Sequence, residues 1–433
     1  MPPEDNPPMS GRRRFGGASP LVLTARAHIM VPSAPVPSGE PFWPLDPAVT
    51  FLNHGSFGSC PRPVLEARCR WQQRLERQPV RFLVRELEGC LEESRATLAR
   101  FVGAAMEDLV FVPNATAGVN TVLRSLSARA GDEWLVTDHA YNACRNALDA
   151  AAARAGARVV VASVPFPVAD EASLVGPVLA AVTPRTTLAL LDHVSSQTGL
   201  VWPIGRLVRA LQAKGVDTLV DGAHAPGMVP LDLAELGAAY YTGNCHKWIC
   251  APKGAAFLHV RADRQEGIRP LVISHGANSA RRDRTRFQLE FGWTGTWDPS
   301  AMLCVAEALG AMAALHPEGW AGLMRRNHEL VVAGRRLLCQ ALGQAPPCPE
   351  SMLGALASVP LPDAEATRPL QPPLFLDPLQ DWLLEHHGIE VPIIPWPAWP
   401  RRLLRISAQA YNTLPQYERL AALLAGAGRG AGA

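Results

Sequence analysis

A lysine just past a strand end can act as an amine nucleophile when the fold desolvates it. Thr242-Gly-Asn-Cys-His246-Lys247-Trp248 follows a strand-like Ala-Ala-Tyr-Tyr and precedes the turn Pro252-Lys-Gly, which puts Lys247 at such a mouth. Taken alone, it would read as an ordinary exposed lysine. Upstream, Asp221-Gly-Ala-His224-Ala-Pro-Gly closes another strand-like run. An Asp there can keep a pyridinium nitrogen protonated, and His224 could hydrogen-bond a ring oxygen. The plainer reading is a turn-capping Asp beside a satisfied His. Phe111-Val-Pro-Asn114-Ala115-Thr116-Ala117-Gly118 reads as a strand turning into a helix. Its free N–H groups and dipole suit a phosphate, with the Thr116 hydroxyl as an extra donor. A simple N-cap is the alternative. The chain has only three lysines, Lys214, Lys247 and Lys253, so lysine chemistry has few candidates. Each piece is weak; the ordered set of phosphate cradle, ring stacker, carboxylate and lysine is strong.

These residues need strand ends to hold them. Short Val- and Leu-rich runs recur at 108–112, 133–137, 158–162, 187–191, 218–220 and 255–260, with helical segments such as 117–126 and 204–213 between most of them. That alternation predicts an α/β fold: a large, mostly parallel sheet with helices on both faces and ligand sites beyond the strand C-termini. A long helical stretch over 299–314, a Pro-rich region around 346–377 and a strand–helix–strand ending at Arg402–Ser407 predict a smaller C-terminal α+β domain. The expected division is a disordered tail at 1–45, a large domain at 46–300, a small domain at 301–425 and a flexible tail at 426–433.

The 433 residues are enough for two domains, and 48% apolar with 18% charged residues exclude wholesale disorder. A net charge of +2 leaves no basic excess for nucleic acid, and no apolar run is long enough to cross a membrane. Nine scattered cysteines, an odd number without a CxxC pair, argue against a disulfide framework and a zinc site. They point to the cytoplasm and to no metal. Arg12-Arg13-Arg14-Phe15 looks loosely like a twin-arginine export signal, but Arg26 and His28 interrupt the apolar stretch, and Met30 is an alternative start.

With these phrases in hand, the chain resembles the class V aminotransferase family of pyridoxal-phosphate (PLP) enzymes, fold type I, in its isopenicillin N epimerase-like branch. The resemblance spans about residues 46 to 425. It rests on Phe51-Leu-Asn-His-Gly-Ser-Phe-Gly, Asn114-Ala-Thr-Ala-Gly, Thr137-Asp-His-Ala-Tyr-Asn-Ala, Asp192-His-Val-Ser-Ser-Gln-Thr-Gly, Asp221-Gly-Ala-His-Ala-Pro-Gly, His246-Lys247, Trp293-Thr-Gly-Thr and Arg405-Ile-Ser-Ala-Gln-Ala-Tyr-Asn.

The resemblance implies roles. Lys247 would be the Schiff-base lysine and shuttle the Cα proton, and Asp221 would pair with the pyridine nitrogen. His224 and Ser196 would contact the ring hydroxyl, with Gln197 adjacent. Ala115, Thr116, Asn244 and His246 would surround the phosphate. His139 falls where relatives stack a ring on the cofactor, with Tyr141 close enough to be the stacker instead. Thr296 matches a residue that relatives donate across a homodimer, and Arg405 the arginine that grips the substrate α-carboxylate. Asn53, His54 and Tyr141 are further substrate-side candidates.

Several reactions diverge after the Cα–H bond breaks: epimerisation, transamination, or β-elimination by a C–S lyase or cysteine desulfhydrase. Persulfide-forming desulfurases resembling this family need a mobile cysteine ahead of the carboxylate-binding Arg, and Gly388–Pro400 contains none. An epimerase wants a second acid on the far face, for which Tyr141, His54 and Tyr411 are candidates. The cluster Arg281, Arg282, Arg284 and Arg286 would suit a second substrate carboxylate, or a solvated loop or dimer contact. Trp396 and Trp399 would line the pocket or pack the small domain. A non-catalytic binding protein on the same fold is the reading from another class.

Overall fold

Each Val- and Leu-rich run becomes a strand of one sheet. The computed structural model describes residues 42–364 and 377–430. The expected tail up to residue 41, with the twin-arginine phrase and Met30, lies outside the described residues, as do residues 365–376 of the Pro-rich region and the last three residues.

In chain order the strands are β1 (Thr50–Phe51), β2 (Leu109–Val112), β3 (Glu133–Thr137), β4 (Arg158–Ala162), β5 (Thr186–Asp192), β6 (Asp217–Asp221), β7 (Tyr240–Asn244), β8 (Ala256–Val260), β9 (Leu356–Leu361), β10 (Ile389–Glu390), β11 (Ile393–Pro395) and β12 (Arg402–Ser407). The main helices are α1 (Arg62–Arg77), α2 (Leu87–Val102), α3 (Ala115–Ser125), α4 (Asn142–Ala155), α5 (Ile204–Gln212), α6 (Gly319–Ala341) and α7 (Leu414–Gly430). The large sheet has the order β2-β8-β7-β6-β5-β3-β4, and only β8 runs antiparallel to its neighbours.

Alternation along a strand feeds two cores. Leu188 and Leu190 pack with Val119, Val122 and Leu123 of α3 and Leu148 of α4 on one face. Ala189 and Leu191 pack with Ile204, Leu207 and Leu211 of α5 on the other. A sheet buried on both faces needs apolar residues at every strand position, which is why the runs are continuous. Truncating a buried leucine such as Leu190 to Ala would cost about 2–5 kcal/mol.

The C-terminal part carries a smaller antiparallel sheet, β11-β12-β9, packed by α6 and α7. Two features depart from the sequence pattern. The helical stretch after Pro299 breaks at Cys304 into Ser300–Leu303 and Val305–Ala313. The chain then forms α6, 23 residues long, which the pattern did not disclose. In addition, β1 pairs in parallel with β10, so the segment around residue 50 belongs with the C-terminal part. Among the described residues, no helix is long and apolar enough to cross a membrane.

Candidate active site

Three neighbouring parallel strands end in polar residues: β5 in Asp192, β6 in Asp221 and β7 in Asn244. The sheet thus lines up three side chains at one edge, where open α/β sheets bind ligands. Lys247 follows β7 by three residues. Its Nζ lies 2.9 Å from His224 Nε2. The Trp248 indole N–H reaches His224 Nδ1 at 3.5 Å. An indole N–H only donates, so the histidine proton sits on Nε2 and is offered to the lysine nitrogen. That arrangement favours a neutral amine. Burial and the Arg405 guanidinium both push Lys247 down, to about 7, against the opposing pull of Asp221. Burial and the Lys247 charge keep His224 well below the usual imidazole range.

The turn that carries Lys247 is clamped by backbone. Gly58 has φ +71°, and a Cβ there would stand 3.0 Å from Lys247 Cα. Gly227 has φ +86° and meets the Trp248–Ile249 backbone as closely. Lys253, the third lysine, donates to Gly58 O at 3.0 Å. His54 is fully buried, with Nε2 3.1 Å from Lys247 O and Nδ1 2.9 Å from Tyr411 OH. Both residues named as far-face acids with Tyr141 are therefore joined to each other behind the lysine turn.

Asp221 Oδ1 accepts the Ala223 N–H at 3.0 Å and Oδ2 accepts the Cys144 S–H at 3.1 Å. Asp192, its register partner on β5, is equally buried. Burial and the Asp221 charge raise the Asp192 carboxyl well above the usual range. Tyr141, at the start of α4, is 43% exposed. Its phenol is pushed up by burial and by Cys144 and Asp221, while Arg405 opposes, so it faces the same space. His139 is fully buried, with Nδ1 3.1 Å from Thr198 Oγ1, Nε2 3.1 Å from Val164 O and its ring in T-shaped contacts with Trp396 and Trp202.

The turn into α3 is held by two asparagines. Asn244 Oδ1 accepts the Ala115 N–H at 2.8 Å, and Asn114 Oδ1 caps the Ala117 N–H at 2.8 Å. His246 Nδ1 lies 3.3 Å from Ala255 O, and burial with the Lys247 charge lowers it to about 4. Arg405 on β12 is buried; its Nη1 donates to Ser196 O at 2.6 Å and its Nη2 to Ser56 Oγ at 2.9 Å. Asn53 donates to Glu390 Oε1 at 2.9 Å. The sequence reading named neither Ser56 nor Glu390 as a functional residue; Ser56 stands inside a quoted phrase, and nothing local marks Glu390.

Thr296 stands exposed on the loop after the helix Arg286–Gly292. Three of the four clustered arginines are ion-paired, Arg281 with Glu88 and Asp283, Arg284 with Glu88 and Glu92, and Arg286 with Glu290, while Arg282 donates to Arg281 O. Trp396 packs on His139, and Trp399 is half-buried.

The left-over polar groups fit PLP. Among the described residues, Arg405 has no carboxylate in ion-pair range, the buried Gln197 Oε1 has no partner, and the Thr116 hydroxyl makes no protein hydrogen bond. An acid at one strand end, a desolvated lysine at the next and a helix N-terminus beside them define a PLP-dependent enzyme of fold type I. Residues 61–315 match the family model Aminotransferase class-V, and the chain belongs to that family. It is 36% identical over 394 residues to the isopenicillin N epimerase of Amycolatopsis lactamdurans, covering 88% of this chain and 95% of that one. It is 32% identical over 406 residues to the putative L-cysteine desulfhydrase 1 of Oryza sativa subsp. japonica, covering 86% and 82%. The solved structure of the cystine C-S lyase C-DES with cysteine persulfide has the same fold, with a TM-score of 0.70 at 22% identity over 87% of this chain and 97% of that one. A second C-DES structure holds glycine covalently linked to its PLP cofactor. The protein is thus a PLP-dependent enzyme acting at the Cα of an amino acid.

Proposed function

We propose that the protein removes the Cα proton of an amino acid and returns it, as the isopenicillin N epimerases it is similar to are named for doing. The observation that carries this reading is a half-buried lysine amine held 2.9 Å from His224 Nε2 at the strand ends, together with a buried guanidinium that has no carboxylate beside it. Arg405 binds the substrate α-carboxylate by two parallel N–H bonds and so fixes the orientation of Cα. When bound, PLP supplies a protonated ring that draws electrons from the Cα–H bond. Asp221 holds the ring nitrogen's proton, with its own position fixed by Ala223 and Cys144. His224 and Ser196 orient the ring oxygen. Ala115, Thr116, Asn244 and His246 hold the phosphate at the start of α3. Lys247 takes the proton at its Nζ, and His224 keeps that nitrogen neutral.

Tyr141, rather than His139, covers the face opposite Lys247: its phenol lies within electrostatic reach of Asp221 and Arg405, while the His139 ring packs in T-shaped contacts with Trp202 and Trp396. With His54 and Tyr411 bound to each other, Tyr141 is also the acid available for inversion. Asn53 and His54 act behind the substrate, on Glu390 and on the lysine turn.

The enzyme works as a homodimer in which Thr296 serves the partner's site. An apolar cavity of about 510 Å³ lies between α2, β2 and the Trp293–Trp297 loop. Beside it Val84, Val272 and Ile273 are 73%, 56% and 61% exposed. A second copy covering this face would bury them. All nine cysteines are free, which fits the cytoplasm.

β-Elimination of a Cβ sulfur group is the second reading, favoured by the likeness to the desulfhydrase. A persulfide route is not favoured. Cys348, the last cysteine, is buried, and its Sγ accepts from Arg335 at 3.2 Å. The test is the visible spectrum of wild type and Lys247→Ala during titration with L-cysteine and D- and L-alanine. A yellow wild type and a mutant lacking that band establish the Schiff-base lysine. Solvent deuterium at Cα with inverted chirality then identifies an epimerase, and pyruvate with sulfide a lyase. A wild type that stays colourless with added PLP ends both readings.

A further inference from the structure

A buried guanidinium with no counter-charge is unstable, yet a carboxylate placed directly on Arg405 would occupy the face that a substrate carboxylate needs. The chain resolves this conflict with a row of neutral groups. Arg405 Nη2 donates to Ser56 Oγ at 2.9 Å. Ser56 Oγ donates to Asn53 Oδ1 at 2.5 Å. Asn53 Nδ2 donates to Glu390 Oε1 at 2.9 Å. The direction of every bond is forced. Arginine can only donate, so the serine oxygen accepts and its single hydrogen passes on. The asparagine oxygen receives it, so the amide N–H₂ must face the glutamate. The row runs without reversal from a cation to an acceptor-only carboxylate, which polarises each member in the same sense.

The elements explain how the row is built. Asn53 and Ser56 lie just past β1, which pairs with β10 so that Phe51 is opposite Glu390. Gln380 Nε2 donates to the same Glu390 oxygen at 3.3 Å, and Gln380 Oε1 accepts the Ile393 N–H at 3.0 Å, which fixes the carboxylate from the far side. On its other edge Arg405 donates to Ser196 O and Oγ, beside the ring-oxygen site. Asn53 and Arg405 are 8% and 4% exposed, while Ser56 and Glu390 are half-buried, so water reaches the row only at those two members.

We propose that Glu390 is the remote counter-ion of Arg405, coupled to it through Asn53 and Ser56, and that this relay positions the guanidinium while leaving its binding face open to a carboxylate. The inference rests on the reading of Arg405 as the carboxylate-binding residue. Glu390, Asn53 and Ser56 are positioning residues, since none of them touches the reacting atoms.

The test compares two probes of the holoenzyme that differ in one carboxylate. Aminooxyacetate and methoxyamine both capture the cofactor through an aminooxy group, and only the first carries a carboxylate. The ratio of their second-order rates, followed by loss of the cofactor's visible band, reads carboxylate recognition alone. Glu390→Gln keeps an acceptor for Asn53 and removes the charge; Ser56→Ala breaks the row. Both are expected to lower the ratio about 5- to 10-fold with the methoxyamine rate unchanged, and Arg405→Ala to abolish the preference. An unchanged ratio in Arg405→Ala overturns the underlying reading of that arginine. A lost preference in Arg405→Ala with normal ratios in the other two overturns the relay. A loss in Ser56→Ala but not in Glu390→Gln shows that hydrogen bonding alone positions Arg405, and it overturns the counter-ion.

Discussion

Lys247 owes its position to a residue with no side chain. Gly58 sits in the left-handed region at φ +71°, against the Lys247 backbone. A methyl group there meets both a disfavoured φ and main-chain atoms that cannot swing aside. Gly58→Ala should therefore lower kcat/KM at least 10-fold while far-UV circular dichroism stays that of wild type; full activity in that variant would count against the clamp. The lysine itself makes a second expectation. With its pKa lowered to about 7, the apoprotein should bind PLP covalently at a rate that rises about tenfold per pH unit below 7 and levels above it. A rate still climbing tenfold between pH 8 and 9 would show an ordinary lysine. Lys247, Asp221, His224 and Arg405 could be named from the sequence because each carries a reactive group in a recognisable phrase. Glu390 was not, because it meets Asn53 across 337 positions and nothing local marks that meeting.

Elements set how well those residues are aimed. The start of α3 depends on Asn244, whose side chain accepts the Ala115 N–H from two strands away in the sheet. Asn244→Ala leaves that buried donor without a partner, at about 1–3 kcal/mol. Part of this falls on the phosphate cradle, and PLP affinity should drop about tenfold in an equilibrium titration, with the thermal midpoint lowered by a few degrees. At the opposite end of the sheet, β3 begins with Glu133, which is fully buried and held by Arg158, Thr183 and Arg185. The hydrogen bond from Arg158, with those from Thr183 and Arg185, draws its carboxyl down to about 2. A depressed carboxyl stabilises the fold fully above its unfolded value of about 4.3 and loses that effect as pH falls through 2. Glu133→Gln should therefore melt well below wild type at pH 7, and the two midpoints should converge towards pH 2. The strands were legible because burial on both faces writes a continuous apolar run. The helices α1 and α6 were less so. Inside α1 only Val64 and Ala67 are buried, and α6 carries Gly322 and Gly334 at buried positions, which weakens its helical signature.

At the scale of the whole molecule, the apolar face around Val84, Val272 and Ile273 is the surface proposed for a second copy. On the proposed dimer, Val84→Asp combined with Ile273→Asp should shift sedimentation from dimer to monomer and remove most of the activity, because the proposed service of Thr296 to a partner's site is then lost. A double variant that stays dimeric and active places the interface elsewhere. The parallel sheet was legible as a whole from its alternation. The joining of residue 50 to residue 389 was not, since two-residue strands leave no periodicity to read.

That joining also sets an order of events on the ribosome. Asn53 leaves the exit tunnel early, and its partner Glu390 follows 337 positions later. At roughly 5–20 residues per second, the interval is about 17–70 s. Through that time the nascent chain can hold Lys247, Asp221 and the start of α3 in a finished sheet, while β1 waits without a partner. Arg405 arrives with Glu390 in the last stretch of translation, long after Asn53 and Ser56. A cofactor-loaded nascent chain would be coloured before it could select a substrate by its carboxylate.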